Sequence, residues 1–411
     1  MASPAATVVS EAGLRPEWAL QVACARTHMD PSNAHRIGAL LQQGLDWDEV
    51  WRLALRHRTM PLLYRHLKAD HSAAVPAETM ERLRSAVQSN TVRNYRLAGQ
   101  LLQAMRCLGA HGVSAVAYRG PVLAEMAYGS LAMRQFDDLD ILVRKREVPQ
   151  AMEALAAMGY QVDLPGNVPQ SAYSRTRHHY ALSRGPGQPL LELHWSIAPG
   201  YFHFPLSMDV WDRVQSSGLA GSEVLSLSAE DLLLALCVHN STHGWGRLAW
   251  ICDVAELIRA RPDLDWERAM AQAQRLGGGR MVRLGLALAR DVIGATLPQQ
   301  VQPAVQEDAM LPELVQQVLA NLTREVDLST EASERYRLFG FHLRVQDSTR
   351  GRLRHFLRML WVPSEEDWES LALPAALYPL YYVVRPFRLL GKHVLRGQKR
   401  GTSRQPARIR R

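Results

Sequence analysis

A short acidic strand near the middle of the chain constrains the fold more than any other feature. From Arg134 to Val143 the sequence reads Arg-Gln-Phe-Asp-Asp-Leu-Asp-Ile-Leu-Val, which alternates with period two from Asp138 onward. Because side chains along a strand alternate between its faces, Asp138 and Asp140 lie on one face while the apolar residues fill the other. The pattern therefore predicts a strand with an apolar face and with two carboxylates at its start.

Two carboxylates this close together repel each other, and a divalent cation bound between them would relieve that repulsion. Hard oxygen ligands favour Mg²⁺, whose remaining coordination positions substrate phosphates can complete. The structural alternative is a solvated acidic turn that caps the strand, which is the usual explanation of an isolated Asp-x-Asp pattern. The choice between a metal site and an acidic turn therefore depends on the sequence around Asp138.

The segment before the acidic strand has the form of an anion-binding turn. A β-prone stretch over 113–118 runs into Arg119-Gly120-Pro121, after which apolar residues recur at helical spacing over 122–127. Proline is favoured at the first position of a helix, and a strand–glycine–helix turn presents backbone N–H groups and the helix dipole to an anion. Arg119 adds a positive charge suited to a triphosphate. The sequence therefore predicts phosphate binding at Arg119 and Gly120.

A third carboxylate lies in a later apolar stretch. Glu192 stands within 190–195, Leu-Leu-Glu-Leu-His-Trp, which is typical of a strand. A buried acid without a partner is costly, and ligation of the same metal as Asp138 and Asp140 would explain its presence. We therefore expect Glu192 beside the two aspartates, although more than fifty residues separate them in the sequence.

The periodicity of apolar residues changes along the chain and predicts an α+β fold. Helical spacing dominates residues 1–103, strand patterns separated by helices occupy 104–227, and helical spacing returns over 228–373. The last part, 374–411, is typical of an amphipathic helix followed by a basic tail. We therefore predict a small mixed sheet flanked by an N-terminal and a C-terminal helical region.

Together these segments resemble the bacterial nucleotidyltransferase family proteins of largely unresolved substrate, distant members of the polymerase-beta-like nucleotidyltransferase superfamily. The resemblance extends along most of the chain and is carried by these segments: Tyr118-Arg-Gly-Pro-Val-Leu-Ala124, Tyr128-Gly with Arg134, Asp138-Leu-Asp-Ile-Leu-Val143, Gly159-Tyr160, Leu191-Glu-Leu-His-Trp195, His239 through Asp253, and Leu377 through Pro386. It implies a nucleotidyltransferase-type sheet at 104–227. It also implies that Asp138, Asp140 and Glu192 are catalytic and bind Mg²⁺, with Glu192 assisting the attacking hydroxyl. The same resemblance adds Arg134 to the predicted substrate-binding residues.

The sequence departs from the family's pattern at two positions. The family usually has Lys-Gly where this chain has Arg119-Gly120, which keeps the charge but changes its geometry. The superfamily's Gly-Ser hydroxyl has no equivalent at Gly120-Pro121. Gly129-Ser130 offers a rival, but it follows a helical rather than a strand pattern, and only seven residues separate it from the acidic strand. We prefer Gly120 as the glycine of the site.

A histidine pair downstream is the second candidate group. His239 and His243 are four residues apart, which places both on one face of a helix and matches the spacing of paired zinc ligands. No Glu follows His239 and no third soft ligand is nearby, which weakens the metal interpretation. The pair could instead pack at a helix end, or His239, His243 and Arg247 could contact the nucleotide or the acceptor. His178 and His179, near the start of a predicted strand, receive a structural interpretation.

The positive charge of the chain is concentrated at its C-terminus. The formal net charge is +8, but residues 385–411 contain ten Lys/Arg and no acid, which leaves the rest at −2. A body without a Lys/Arg stripe interleaved with aromatics argues against nucleic-acid binding. The segment from Pro374 onward could lie on an anionic membrane surface through its basic tail. Its apolar face could also pack on the protein itself, which is the interpretation that we favour.

The cysteines and the N-terminus predict a cytoplasmic protein. The four cysteines, at positions 24, 107, 237 and 252, form no C-x-x-C pair and suggest neither a zinc ribbon nor a disulfide framework. The N-terminus has no apolar core of a signal peptide, and no run of eighteen uncharged apolar residues occurs in the chain.

The leading hypothesis is an enzyme that moves a nucleoside monophosphate from an NTP to a hydroxyl or phosphate acceptor and releases pyrophosphate. The sequence does not identify the acceptor. The alternative is a non-catalytic accessory or binding protein that retains the nucleotidyltransferase fold. The missing Gly-Ser hydroxyl favours this alternative, and the intact set of carboxylates opposes it.

Overall fold

Helices pack around a seven-stranded sheet in the part of the chain that the structure describes. The computed structural model describes residues 15–162, 170–199, 202, 204, 208–324, 338–371 and 373–390. The helices before the sheet are α1 (Pro16–Cys24), α2 (Pro31–Leu41), α3 (Trp47–His57), α4 (Met60–Asp70) and α5 (Ala77–Ala110). The first predicted helical region therefore consists of several short helices followed by one long one.

Strands and short helices alternate in the middle of the chain. In chain order they are β1 (Ala115–Ala117), α6 (Gly120–Tyr128), β2 (Asp138–Val143), α7 (Val148–Ala157), β3 (Gln161–Val162), α8 (Gln170–Thr176), β4 (His179–Ser183), β5 (Leu190–His194), β6 (Gln215–Leu219) and β7 (Ser222–Ser226). The acidic segment forms a strand, and the turn before it leads into a helix.

The C-terminal part is helical. It contains α9 (Ala229–Thr242), α10 (Leu248–Ala260), α11 (Trp266–Leu276), α12 (Gly279–Leu288), α13 (Gln302–Glu307), α14 (Leu311–Thr323), α15 (Phe339–Arg344), α16 (Thr349–Trp361) and α17 (Glu365–Ser370). A π-turn over Ala289–Ile293 extends α12, and a 3₁₀ turn over Ala375–Leu380 precedes α18, which is helical over 381–390.

The sheet is mixed, with the strand order β3-β4-β5-β2-β1-β7-β6. At its centre, β2 runs parallel to β5 and antiparallel to β1, and β1 runs parallel to β7. The outer pairs are antiparallel. The predicted α+β class, with a mixed sheet flanked by helices, is confirmed.

Both faces of β2 are covered, and among its residues only Asp138 is partly exposed. Leu142 belongs to an apolar cluster that reaches α1 and the C-terminal helices through residues such as Leu232 and Trp245. Ile141 and Val143 pack on the other side, against α5 and α7. Since a buried strand of this kind is apolar on both faces, a buried charge on it, such as that of Asp140, requires a partner.

The predicted amphipathic helix at the C-terminus is partly packed onto the protein. Tyr381 and Leu389 are buried, whereas Leu377 and Leu380 are exposed. Arg385, which the sequence places among the tail cations, is buried and forms an ion pair with Asp367 of α17. Residues 391–411 of the predicted tail lie outside the described residues.

The structure offers no membrane-spanning element in the residues that it describes. None of the helices there combines the length and the apolar character needed to cross a bilayer. The four cysteines are unpaired, and Cys24, Cys237 and Cys252 are buried.

Candidate active site

The pairing of β2 with β5 brings the predicted carboxylates together. In this parallel pair Asp140 stands opposite Glu192, Asp138 opposite Leu190, and Leu142 opposite His194. Because alternate residues of a strand share a face, Glu192 and His194 of β5 lie on the same side of the sheet as the aspartates. The expected placement of Glu192 beside Asp138 and Asp140 therefore agrees with the geometry.

His194 joins two of the carboxylates. Its Nε2 lies 3.0 Å from Asp140 Oδ1 and 3.0 Å from Glu192 Oε2. Burial by itself lowers the pKa of His194, but the hydrogen bonds and charges of Asp140 and Glu192 outweigh it and raise the pKa overall. Since a carboxylate can only accept, Nε2 of His194 carries a proton.

Arg119 contacts the same group of side chains from the turn after β1. Its Nη2 forms an ion pair with Asp140 and lies 3.9 Å from Glu192 Oε2. Its Nη1 lies 2.7 Å from Nδ1 of His239. Burial, followed by the charge of Arg119, keeps the pKa of His239 well below its ordinary value. His239 is therefore neutral at pH 7 and accepts a hydrogen bond from the guanidinium.

The three carboxylates have different electrostatic surroundings. Burial and the neighbouring charge of Asp140 raise the pKa of Asp138 above its ordinary value. Burial acts against ionisation of Asp140 and Glu192 too, but Arg119 lowers the pKa of Asp140, and the hydrogen bond from His194 lowers that of Glu192. Asp138 is thus the carboxylate whose negative charge the protein compensates least.

The side chains of the group differ in exposure, and the partly exposed surface that they line is named the cleft. Asp140, His194 and Arg119 are 2%, 1% and 8% exposed, so they lie at the bottom. Asp138 and Glu192 are half-buried above them. A substrate can therefore approach the carboxylates from solvent while the groups that hold them stay protected from water.

The donor set fits a magnesium ion. Asp140 and Glu192 can each offer a carboxylate oxygen so that the two atoms lie within 4.8 Å of each other, and Asp138 is close enough for its pKa to respond to Asp140 and Glu192. Carboxylate oxygens are the ligands that Mg²⁺ prefers. Arg119 is the cation paired with this group, and one positive charge does not neutralise three carboxylates.

The structure supports Gly120, rather than Gly129, as the glycine of the site. Gly120 has φ +50°, and a Cβ at this position would lie 3.1 Å from the backbone oxygen of Asp138. Gly129 instead ends α6 in the left-handed conformation, and the side chain of Ser130 accepts from the Ala132 N–H. The hydroxyl of Gly129-Ser130 thus serves a turn at the far end of the helix.

The turn at Gly120 presents fewer backbone donors than the sequence suggests. Pro121 has no N–H, and the N–H groups of Val122 and Leu123 both point to the backbone oxygen of Arg119, at 3.1 and 3.5 Å. The predicted anion binding at this turn therefore depends mainly on the Arg119 side chain.

Arg134 supports the turn from behind. Its Nε and Nη2 lie 2.7 and 2.8 Å from the two carboxylate oxygens of Asp253, and the Tyr128 hydroxyl donates to the same carboxylate at 2.7 Å. This buried group joins α6 to α10. The structure thus places Arg134, predicted to bind substrate, in an internal ion pair behind the Gly120 turn.

The predicted histidine pair borders the cleft from α9. The rings of His239 and His243 are 4.8 Å apart, and both lie within 6 Å of the Trp250 ring. The Arg247 guanidinium lies 5.2 Å from the same Trp250 ring. His239 contacts Arg119 directly, and His243 is exposed next to it. His239 therefore reaches the turn after β1, and contact of His239, His243 and Arg247 with nucleotide or acceptor stays a prediction.

Three residues of the site were not predicted as site residues: His178, His179 and His194. His194 stands two residues after Glu192 in a predicted strand, a spacing that places both on one face. His179 stands directly opposite His194 in the β4–β5 pair. The alternation along β5 could have identified His194, but the pairing of β4 with β5 cannot be read from the local pattern.

Comparison with known proteins identifies the family. No curated protein matches this chain closely enough to be considered a relative. Residues 43–294, which include β1 to β7 and α9 to α12, match the family described as uncharacterised nucleotidyltransferase. Since this match covers more than half of the chain and contains every carboxylate of the cleft, the chain belongs to the uncharacterised nucleotidyltransferase family.

Proposed function

We propose that the protein is a metal-dependent nucleotidyltransferase that moves a nucleoside monophosphate from an NTP to a hydroxyl or phosphate acceptor. The observation that carries the proposal is the convergence of Asp138, Asp140 and Glu192 from two neighbouring strands at the edge of an open cleft. An acceptor oxygen would attack the α-phosphorus, the bond from that phosphorus to the bridging oxygen would break, and pyrophosphate would leave. The family assignment supports the reaction class.

Asp138, Asp140 and Glu192 would hold Mg²⁺. Bound there, Mg²⁺ would neutralise the triphosphate and stabilise the oxygens that attack and leave. Asp138 has the raised pKa expected of a carboxylate that lacks a resident cation partner. Its position next to Asp140 supports the assignment of both to the metal.

Glu192 would accept the proton of the attacking hydroxyl. It is half-buried at the cleft wall, and His194 keeps its pKa low, so the carboxylate is ionised at neutral pH. A positioned general base typically contributes about 10²–10⁴-fold to the rate. His194 itself would act as a positioning residue, because its Nε2–H holds both Asp140 and Glu192.

Arg119 would bind phosphate oxygens and position Asp140. Its guanidinium is at the floor of the cleft and is oriented by Asp140 on one side and His239 on the other. Arg247 and His243, at the rim, would bind the outer part of the triphosphate or the acceptor. Electrostatic stabilisation of this kind is commonly the largest contribution to phosphoryl-type transfer.

A non-catalytic binding protein is the second candidate, and one contact favours it. The Arg119 guanidinium is paired with Asp140, one of the carboxylates that would ligate the metal, so this carboxylate already has a cation as its partner. In addition, Gly120-Pro121 provides no hydroxyl. A protein of this kind would bind NTP and turn none of it over.

A contact of the C-terminus with an anionic membrane surface is part of the proposal. In α16 and α18, Phe356, Phe387 and Leu390 are 45%, 70% and 62% exposed. Arg350 and Arg358 of α16 lie close enough to Arg354 to lower its pKa, after the effect of burial. Exposed apolar side chains among clustered cations suit an acidic bilayer, at about 1 kcal/mol per Lys/Arg near the surface.

Vesicle co-sedimentation tests this contact. Binding to phosphatidylserine vesicles that weakens with salt supports it, and a variant with the Lys/Arg of 392–411 changed to Gln should bind less. Deletion from 385 onward is unsuitable because Arg385 is paired with Asp367. Equal binding to neutral vesicles, or none at low salt, would contradict the contact.

Label transfer from NTPs tests the reaction. The purified protein is incubated with each α-³²P NTP, Mg²⁺ and a cell extract, and incorporation into any acceptor is followed together with pyrophosphate release. A reducing, NTP-containing compartment such as the cytoplasm, which the unpaired cysteines suit, is the appropriate source of extract. Labelling by the native chain and not by Asp138→Asn supports catalysis. NTP binding without labelling in any extract supports the binding-protein alternative.

A further inference from the structure

A group of histidines lies immediately beside the carboxylates. His178, His179 and His194 can each offer one ring nitrogen so that the three nitrogens lie within 4.8 Å of one another. His178 Nε2 and His179 Nδ1 are 3.3 Å apart. Nothing in the nucleotidyl transfer described above uses His178 or His179.

The backbone fixes this arrangement. His179 and His194 stand directly opposite each other in the antiparallel β4–β5 pair, so their side chains share a face of the sheet. His178 precedes β4, and its backbone oxygen accepts from the Trp195 N–H at 3.0 Å. Strand pairing therefore fixes His179 against His194, a backbone hydrogen bond to Trp195 fixes His178 beside them, and the three rings lie in contact with one another.

The second ring nitrogen of His194 lacks a hydrogen-bond partner. Nδ1 of His194 is buried and unpaired among the described residues. Nδ1 of His178 is unpaired there too, but the nitrogen of His178 that faces His179 is Nε2. A buried polar atom of this kind costs about 1–3 kcal/mol if nothing binds it, and native structures contain few of them. His194 is 1% exposed, so bulk water does not satisfy its second nitrogen.

The hydrogen bonds of His194 leave one of its ring nitrogens available to a metal. Its Nε2–H points to Asp140 and Glu192, which makes Nδ1 the nitrogen with a free lone pair in the neutral ring. Metal-binding imidazoles commonly donate their other N–H to a carboxylate, which fixes the ring and raises its basicity. Two nitrogens that each bind one tetrahedral ion at 2.0–2.1 Å are about 3.4 Å apart, close to the His178–His179 distance.

We propose that His178, His179 and His194 bind a divalent transition-metal ion, of which Zn²⁺ is the best fit. Imidazole nitrogens select zinc and its neighbours, whereas magnesium requires oxygen ligands. Three protein ligands leave a fourth position for water or for a phosphate oxygen of a substrate. This site adjoins the carboxylate site, because His194 also donates to Asp140 and Glu192. It does not depend on the proposed nucleotidyl transfer.

Metal titration of the tag-free, full-length chain tests the proposal. After removal of metal with a chelator, Zn²⁺ binding is measured by calorimetry, and Co²⁺ binding by visible absorption. We expect one ion per chain and a dissociation constant in the micromolar range or below. His178→Ala and His179→Ala should each weaken binding at least tenfold, and His35→Ala, on an exposed position of α2, should leave it unchanged.

Asp138→Asn is the matched control for the carboxylate site. Asp138 makes no hydrogen bond to the histidines in the described structure, so this variant should bind Zn²⁺ as the native chain does. It should also lose Mn²⁺ or Mg²⁺ binding, while His179→Ala keeps it. The Zn²⁺ affinity is measured without any label transfer, so the zinc proposal and the nucleotidyl-transfer proposal can fail independently.

Thermal unfolding distinguishes a loss of zinc binding from a folding defect in the variants. Zn²⁺ should raise the Tm of the native chain, because a ligand that binds only the folded state stabilises it, and it should not raise the Tm of His179→Gln. The metal-free variant should unfold cooperatively. Absence of saturable Zn²⁺ binding to the native chain would overturn the proposal, as would equal affinities of the native chain and both alanine variants.

Discussion

Arg119 and Asp140 form a buried ion pair at the floor of the cleft, joining the turn after β1 to the start of β2. The arginine is held on its other side by His239 of α9. The pair thus fixes the carboxylate nearest the sheet centre and links the sheet to the C-terminal helices.

Removal of Arg119 should be strongly destabilising. Arg119→Met would leave Asp140 as a buried charge with only His194 beside it, and breaking one partner of a buried pair typically costs about 3–5 kcal/mol. Arg119→Lys should recover part of this loss, because a lysine keeps the charge but cannot contact Asp140 and His239 together. Urea denaturation measures both. Arg146→Met, with 76% of its side chain exposed, is the control and should change stability by less than about 0.5 kcal/mol.

Asp138→Asn should abolish metal-dependent transfer and stabilise the metal-free protein. The folded-state pKa of Asp138 is raised, so its ionised form costs stability at neutral pH, and this cost disappears as the pH falls through that pKa. We expect a higher Tm than that of the native chain at pH 7.5 in EDTA, with the difference shrinking toward acidic pH. Mg²⁺ should raise only the native Tm. Activity should fall at least about 100-fold, since a bound metal contributes several kcal/mol to the transition state. A lower Tm in EDTA would contradict the assignment.

Glu192→Gln should separate catalysis from nucleotide binding. The rate should fall by about 10²–10⁴-fold because the general base is lost, while the NTP dissociation constant should change only a few-fold, since Asp138, Asp140 and Arg119 remain. Single-turnover kinetics and equilibrium binding give the two quantities. Glu223→Gln, on an exposed position of β7, should alter neither. Equal loss of binding and rate would instead indicate a structural role.

His57 should make the stability depend on pH. This residue of α3 is fully buried, and its Nδ1 lies 3.3 Å from the backbone nitrogen of Leu248. Burial, followed by nearby arginines, lowers the pKa of His57 to about 3. The unfolded chain therefore binds the extra proton between about pH 6.5 and 3, so stability falls as the pH falls through this window.

His57→Gln should remove this contribution. Within that window the unfolding free energy of the native chain should drop more steeply than that of the variant, by up to about 1.4 kcal/mol per pH unit. Urea titrations at pH 5, 6 and 7 provide the comparison, with His35→Gln as the exposed control. Parallel curves for the native chain and His57→Gln would show that His57 does not carry the effect.

Local patterns predicted much of the fold. Period-two alternation identified β2 and β5, and the proline and glycine after β1 identified the start of α6, because these signals lie within a few residues of each other. The order of the strands could not be obtained in this way. It depends on the β2–β5 and β4–β5 pairings, which join segments that are distant in the sequence.

Local patterns also predicted that the carboxylates lie together, which agrees with the β2–β5 pairing, whereas their catalytic roles stay predictions. Asp138, Asp140 and Glu192 carry a local signal, since charged residues in an apolar strand require a partner. Arg134 was predicted to bind substrate from the family resemblance alone, and its partner is Asp253, more than a hundred residues away. The alternation along β5 could have identified His194, but its approach to His179 depends on the β4–β5 pairing, which no local pattern shows.

Pro121 limits the number of backbone N–H groups that the turn at Gly120 can offer to an anion. Because Pro121 has no N–H and the N–H groups of Val122 and Leu123 already point to the Arg119 oxygen, recognition of an anion here rests on side chains. Backbone donors stay in place when a residue is substituted, whereas a side-chain donor is replaced by a single codon substitution. In the proposed function Arg247 and His243 bind the substrate at the rim, so their exchange would alter the preferred substrate and leave the scaffold intact.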